Sequence, residues 1–246
     1  MLLLAGTTEA ASLAELLAGR SDVEVVASFA GRTRAPAVLP CPVRTGGYGG
    51  VDGLVRELRA GGYDALVDAT HPFAARMPHN AASAADARGI PRLRLVRRPW
   101  RRLPGDDWHA AADVAAAAGV LPSLGARRVL LTTGRLELAP FAVVPDTHFV
   151  VRSIEPAEMP LGHATVVLDR GPFTVDDEVA LLREHRIDTI VAKNSGGEAT
   201  AAKLTAARML GVRVVMVRRP PGPPGPVVDS PDAAVRWIDA LSPANG

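Results

Sequence analysis

Several short clusters of hydroxyl, glycine and charged residues recur along the chain, each directly behind an apolar run. The first is Ala5-Gly6-Thr7-Thr8-Glu9-Ala10, followed by an Ala/Leu-rich segment. At a strand-to-helix junction of this kind, backbone N–H groups and the positive helix end can hold a phosphate. Gly6, Thr7 and Thr8 are therefore candidate phosphate contacts. Only one glycine is present, so the dinucleotide pattern G-x-G-x-x-G is degenerate, and a plain helix-capping role for Thr7 or Thr8 is equally open. About 20 positions further on, an acid would contact an adenosine ribose and select NAD. Here the chain instead carries Ser28-Phe29-Ala30-Gly31-Arg32-Thr33-Arg34. A hydroxyl and two guanidiniums suit a 2′-phosphate, because Arg grips phosphate oxygens through paired hydrogen bonds. Ser28, Gly31 and Arg32 thus favour NADPH over NADH, with solvated surface arginines as the alternative.

Thr45-Gly46-Gly47-Tyr48-Gly49-Gly50 sets four glycines around one aromatic ring. Glycines admit a ligand close to the backbone and the ring can cover a flat group, although a tight surface turn explains the same residues. Asp68-Ala69-Thr70-His71-Pro72-Phe73-Ala74 stands where the carboxyl edge of an open parallel sheet binds ligands; a histidine capping a helix start is the plainer reading. Thr132-Thr133-Gly134-Arg135 repeats hydroxyl, glycine and guanidinium behind a strand, which makes Thr133, Gly134 and Arg135 candidate anion contacts. The densest cluster of donors is Lys193-Asn194-Ser195-Gly196-Gly197-Glu198-Ala199-Thr200. No G-K-[ST] follows its glycines, so it is not a Walker loop. Lys193, Asn194, Ser195, Gly196 and Thr200 are read as cofactor or anion contacts, against simple turn chemistry. Arg92, Arg94, Arg97, Arg98, Arg101 and Arg102 surround Trp100, which fits a solvated face, an anionic small molecule, or nucleic acid stacked on the indole. His71, His79 and Cys41 lack metal-ligand spacing, so no metal site is assigned.

These clusters need rigid elements behind them. Short apolar runs alternate with Ala/Leu-rich segments of helical period throughout, the pattern of an α/β protein with mostly parallel sheets. Strands are expected near 2–5, 23–29, 42–45, 64–69, 91–96, 128–133, 148–153, 165–168, 187–192 and 212–217. Helices are expected near 8–19, 51–60, 73–88, 175–185, 198–210 and 231–241, with an Ala-rich one before Leu121-Pro122-Ser123-Leu124-Gly125. That stretch is the candidate linker, dividing the chain into domains 1–122 and 123–246. Arg219-Pro220-Pro221-Gly222-Pro223-Pro224-Gly225-Pro226 can be neither helix nor central strand and is expected as a surface loop. The length of 246 residues, 48% hydrophobic and 22% charged, is that of a folded globular chain. A net charge of +2 gives no reason to expect nucleic acid. A single cysteine, an N-terminal apolar run too short for a signal sequence and the lack of a membrane-length apolar stretch point to a cytoplasmic protein.

In order, these motifs, together with Ala30-Gly31-Arg32, Arg170-Gly171-Pro172-Phe173-Thr174, Lys203-Leu204 and Val217-Arg218-Arg219-Pro220, resemble the precorrin-6A and cobalt-precorrin-6A reductase family of cobalamin (vitamin B12) biosynthesis. The resemblance covers nearly the whole chain; one departure is Ala5, where the family usually has a second glycine. It implies two Rossmann-like domains with the cofactor in the cleft between them. The implied activity is NADPH-dependent reduction of one double bond in the tetrapyrrole macrocycle of precorrin-6A, or of its cobalt form, to precorrin-6B. This would make the chain an oxidoreductase acting on a CH-CH bond, with other corrin-pathway enzymes as conceivable partners. Tyr48, Gly49, Thr70 and His71 would then border the substrate. His71, near Asp68, is the first candidate proton donor, Lys193 the second and water the third. The competing readings are an NADP-dependent reductase of another anionic substrate and a non-catalytic tetrapyrrole- or nucleotide-binding protein.

Overall fold

A computed structural model of the chain describes residues 1–30, 38–153, 159–169 and 171–241, with the side chains of Arg135 and Ala199 outside that description. In chain order, the elements begin with β1 (Leu2–Leu4), α1 (Thr8–Leu17), β2 (Val26–Phe29), β3 (Val43–Thr45), α2 (Val51–Ala60), β4 (Leu66–Asp68), α3 (Met77–Arg88) and β5 (Arg92–Leu95). They continue with β6 (Trp108–Ala111), α4 (Val114–Val120), β7 (Arg128–Leu131), β8 (His148–Ser153), β9 (Ala164–Leu168), α5 (Val175–Glu184), β10 (Thr189–Lys193), α6 (Ala202–Leu210) and β11 (Arg213–Val217). The chain closes with β12 (Val227–Val228) and α7 (Pro231–Asp239). Short 3-10 turns lie at Arg135–Glu137, Ala139–Val143 and Glu198–Thr200.

Two compact units result, one formed by 1–98 with 220–246 and the other by 99–219. The first holds a six-stranded sheet in the order β3-β2-β1-β4-β5-β12, every pair parallel. The second holds six strands in the order β9-β8-β7-β10-β11-β6, again all parallel. This is the expected α/β, Rossmann-like arrangement: from a central strand, β1 or β7, each sheet grows to one edge and then restarts on that strand's other side with β4 or β10, while β6 is laid on the far edge of the second sheet.

Residue alternation explains the layers of the first unit. In Leu2-Leu3-Leu4, all at most 2% exposed, Leu3 enters the core shared with Ala10, Leu13, Ala14 and Leu17 of α1 and with Ala234 and Ile238 of α7. Leu2 and Leu4 face the other way, toward Leu54 and Leu58 of α2 and the small residues Ala81, Ala84 and Ala85 of α3. A strand covered on both faces must be apolar at every position, and each buried leucine contributes about 2 kcal/mol. In the second unit Leu130, Val150, Ile190, Ala192 and Val214 pack with Leu182 of α5 and Leu204 and Ala207 of α6. No helix among the described residues is long and apolar enough to cross a membrane.

The expected division at 122/123 is corrected. Leu121 is fully buried and its carbonyl accepts from Ala126 N–H at 3.1 Å, so that stretch is a tight turn from α4 into β7 inside the second unit. The chain crosses instead at 98/99 and returns at 219/220. Each unit takes its sixth strand from beyond its own central run: β6 pairs with β11 through Trp108↔Val214 to Ala111↔Val217, and β12 pairs with β5 through Val227↔Arg94 and Val228↔Leu95. Neither strand was expected from sequence, because Trp108-His109-Ala110-Ala111 has no β-branched residue and β12 is only two residues long.

Helix α5 opens on a reciprocal cap in which Thr174 Oγ1 accepts from Asp177 N–H and the Asp177 carboxylate accepts from Thr174 N–H. The hydrogen bond from the Thr174 hydroxyl, with that from its backbone, holds the Asp177 carboxyl below the ordinary carboxylate range. A group with a depressed folded pKa stabilises above its unfolded value of about 3.9 and stops doing so as pH falls through the folded value. Asp177→Ala is expected to lower the melting temperature at neutral pH, and thermal melts in strong acid should show the difference closing.

Candidate functional site

In an open parallel sheet, the loops behind two adjacent strands part where the strand order reverses, leaving a crevice at their carboxyl ends. In the first unit these strands are β1 and β4, whose last residues Leu4 and Asp68 are in register. Gly6, exposed at φ +149° with open space where a Cβ would point, forms the first loop. Only glycine adopts this conformation readily, and it leaves the backbone approachable. Thr7 caps α1: Oγ1 accepts from Ala10 N–H at 3.2 Å and donates to Ala69 O at 3.0 Å, clasping the two loops together. Its hydroxyl serves the fold, whereas Thr8 is exposed on the first residue of α1. Glu9 pairs with Arg97 at 3.0 Å, which offsets the negative charge it would otherwise present to a phosphate at this helix end.

Asp68, 1% exposed, accepts through Oδ1 from Thr70 N–H at 3.1 Å and from the Thr70 hydroxyl at 2.6 Å. Its Oδ2 lies 3.5 Å from Arg94 Nε. The partners of Asp68 are thus Thr70 and Arg94 rather than His71. His71 is exposed, and its Nδ1 accepts from Phe73 N–H at 3.2 Å, so the neutral ring carries its proton on Nε2. Ser28, 4% exposed, accepts from the Tyr48 hydroxyl at 2.6 Å. The Tyr48 ring packs on the α2–α3 core under the Arg44 guanidinium, 4.1 Å from its centroid; burial pushes its phenol up. Both side chains are tied into the scaffold, while Gly49 stays exposed beside them. Gly31 and Arg32 lie outside the described residues.

The second unit repeats the arrangement between β7 and β10. Thr133, 5% exposed, has a buried hydroxyl with no hydrogen-bond partner among the described residues, and Gly134 follows at φ +93° with open space before it. The side chain of Arg135 lies outside the described part. Lys193, the last residue of β10, brings Nζ to 2.7 Å from Glu137 Oε2. Glu137 was not anticipated; its visible signal was an acid three residues behind Gly134 in the same loop. Asn194 spends its amide on Trp100, accepting from Trp100 N–H at 2.8 Å and donating to Trp100 O at 3.1 Å. The indole N–H donates to Gly197 O at 2.9 Å, and Lys203 Nζ sits 5.0 Å over the ring. Arg219 donates to Asn194 O and Ser195 O at 2.7 and 2.9 Å. Gly196 is buried, and the exposed Thr200 donates to its carbonyl at 3.5 Å.

Trp100 is therefore packed into the second unit's core rather than offered as a stacking platform. Five of the six arginines around it are also engaged: Arg92 with Pro224 O, Arg94 with Asp68, Arg97 with Glu9, Arg98 with Asp229 and Arg102 with Asp106 O, while Arg101 is exposed. Among the described residues no cluster of His, Cys, Asp and Glu is placed to hold a metal ion.

Comparison with known proteins agrees with this geometry. Residues 1–239 match the model of the family described as precorrin-6x reductase CbiJ/CobK. A precorrin-6A reductase of Rhodococcus erythropolis is 51% identical over 98% of each chain. One of Rhodobacter capsulatus is 43% identical over 97% of this chain and 95% of its own. The solved structure of a CobK precorrin-6A reductase superimposes with a TM-score of 0.91 at 42% identity, covering 97% of this chain and 95% of that one. With its two switch-point crevices and a match running through both units, the chain belongs to the precorrin-6x reductase family.

Proposed function

We propose that this chain reduces one double bond of precorrin-6A, a tetrapyrrole, with NADPH as the reductant, a cytoplasmic step in building the corrin ring. The observation that carries the reading is that a reductase family match over residues 1–239 coincides with two switch-point crevices built from glycine, hydroxyl and cation. The residues suit a dinucleotide phosphate. Gly6 and Gly134 expose backbone at positive φ with room before them, and Thr133 keeps a buried hydroxyl without a partner among the described residues. The residues assigned to NADPH are Gly6 and Thr8, with Gly31 and Arg32 at the 2′-phosphate, and Thr133, Gly134, Arg135, Ser195 and Gly196. Thr7 and Asn194 act behind them as braces. When bound, the nucleotide supplies a hydride; orientation and the proton are left to the protein and solvent.

His71, exposed just beyond β4, is the assigned proton donor; it serves as an acid only as the imidazolium, in which Nδ1 gives up the hydrogen bond it accepts from Phe73 N–H. Lys193, its ammonium held by Glu137, is the second candidate and a counter-charge for the anionic substrate. Thr70 and Gly49 border the macrocycle.

Titration of NADPH and NADH, followed by nucleotide fluorescence, tests the cofactor. NADPH should bind tightly and NADH weakly, and Arg32→Ala should weaken NADPH by about tenfold or more while sparing NADH, the loss expected for a charged hydrogen bond. Binding of neither nucleotide would remove the reading. For the proton, His71→Ala is expected to lower kcat about a hundredfold and Lys193→Ala to lower it less. Near-normal kcat in both variants means that water delivers the proton.

A further inference from the structure

Residues 220–226 return the chain to the first unit through two glycines spaced three apart, Gly222 and Gly225. Two arginines of β5 lie against them. Arg92 Nη2 donates to Pro224 O at 2.7 Å, and a Cβ built on Gly225 would stand 2.7 Å from that same nitrogen. A Cβ on Gly222 would stand 1.9 Å from Arg94 Nη1 and 3.0 Å from its Cζ. The loop backbone thus lies directly on the Arg94 guanidinium, whose side chain is 11% exposed. On its other side Arg94 Nε faces Asp68 Oδ2 at 3.5 Å, with neither atom in a hydrogen bond among the described residues. An attraction this poorly aligned does not by itself fix where the guanidinium sits; the loop pressing on it does.

We infer that Arg94, seated by the Gly222 loop, is a positioning residue that sets the Asp68 carboxylate and, through it, the Thr70 hydroxyl at the crevice. The inference rests on the reading of Thr70 as a substrate contact. Its chemistry is specific. With its proton committed to Asp68 Oδ1 at 2.6 Å, the Thr70 oxygen is presented to a ligand as an acceptor only. A shift of Arg94 lets the carboxylate rotate, frees the hydroxyl to turn and releases the Thr70 amide, which donates to the same oxygen.

Gly222→Ala is the gentle test, because Gly222 is not among the glycines at positive φ and alanine there demands only that Arg94 move. Arg94→Lys is its companion, keeping the charge but losing the planar fork. In both variants amide exchange at Thr70 is expected to quicken about tenfold and KM for precorrin-6A to rise about tenfold. The melting temperature and NADPH affinity should stay near those of the unmodified protein. Unchanged exchange and KM in both variants would overturn the inference. So would a fall in melting temperature with exchange rising throughout the sheet and KM unmoved, the mark of a purely structural pair. Faster exchange confined to Thr70, in a protein whose parent form does not reduce precorrin-6A, would sink the proposed substrate while supporting the Arg94 placement.

Discussion

Parallel pairing of β1 with β4, and of β7 with β10, is the constraint from which the rest of each unit follows. Parallel strands cannot be joined by a hairpin, so every connection must climb over the sheet, and the helices that do so bury both of its faces. A sheet that begins in the middle must extend toward one edge and then restart toward the other. The loops behind β1 and β4 consequently leave in opposite directions and a crevice opens at their carboxyl ends. The same holds behind β7 and β10. The apolar interior of each strand determines little about chemistry, but it fixes within a residue where the first polar side chain can emerge, and that is where Gly6, Thr70, Thr133 and Lys193 stand.

Polar groups at those strand ends are expensive to bury alone, and the structure holds most of them in pairs. Asp68 is bonded to Thr70 and faces Arg94; Lys193 is set against Glu137; Ser28 accepts from Tyr48. Of these three, Asp68 with Arg94 is the buried charge pair, where removing one member leaves the other uncompensated at a cost of about 3–5 kcal/mol; the partly exposed Lys193–Glu137 pair and the neutral Tyr48–Ser28 hydrogen bond tie their loops more weakly. Several residues that look like ligand contacts are in fact what keeps the contacts in place. Thr7 clasps the β1 and β4 loops together, and Asn194 behaves as a backbone surrogate for Trp100. Thr133 is different, since its buried hydroxyl has no partner among the described residues and precedes a glycine turn.

The sixth strand of each sheet shows how connectivity and packing diverge. An edge strand needs only a partner with free N–H and C=O groups in the right direction, and that partner need not be its neighbour in sequence. The edge beside β11 is filled by β6, which precedes the other strands of the second unit, and the edge beside β5 by residues that follow that unit. The Pro- and Gly-rich return loop is therefore more than a spacer: it carries β12 to its place and rests on Arg92 and Arg94 on the way.

The alternating apolar and helical periods determined the α/β class, the central strands and most helices, because a strand buried on both faces and a helix buried on one impose patterns readable without coordinates. The same patterns located the polar clusters behind β1, β4, β7 and β10, and their order along the chain carried the family resemblance. What sequence could not determine was anything set by partners distant in the chain. The boundary expected at 122/123 failed because β6 and β12 have too little pattern of their own and exist only through pairing with β11 and β5. The pairing of Asp68 with Arg94, of Lys193 with Glu137 and of Trp100 with Asn194 was invisible for the same reason. Each joins a side chain to a group that sequence separation keeps apart and only the packed fold brings within reach of a hydrogen bond or an ion pair.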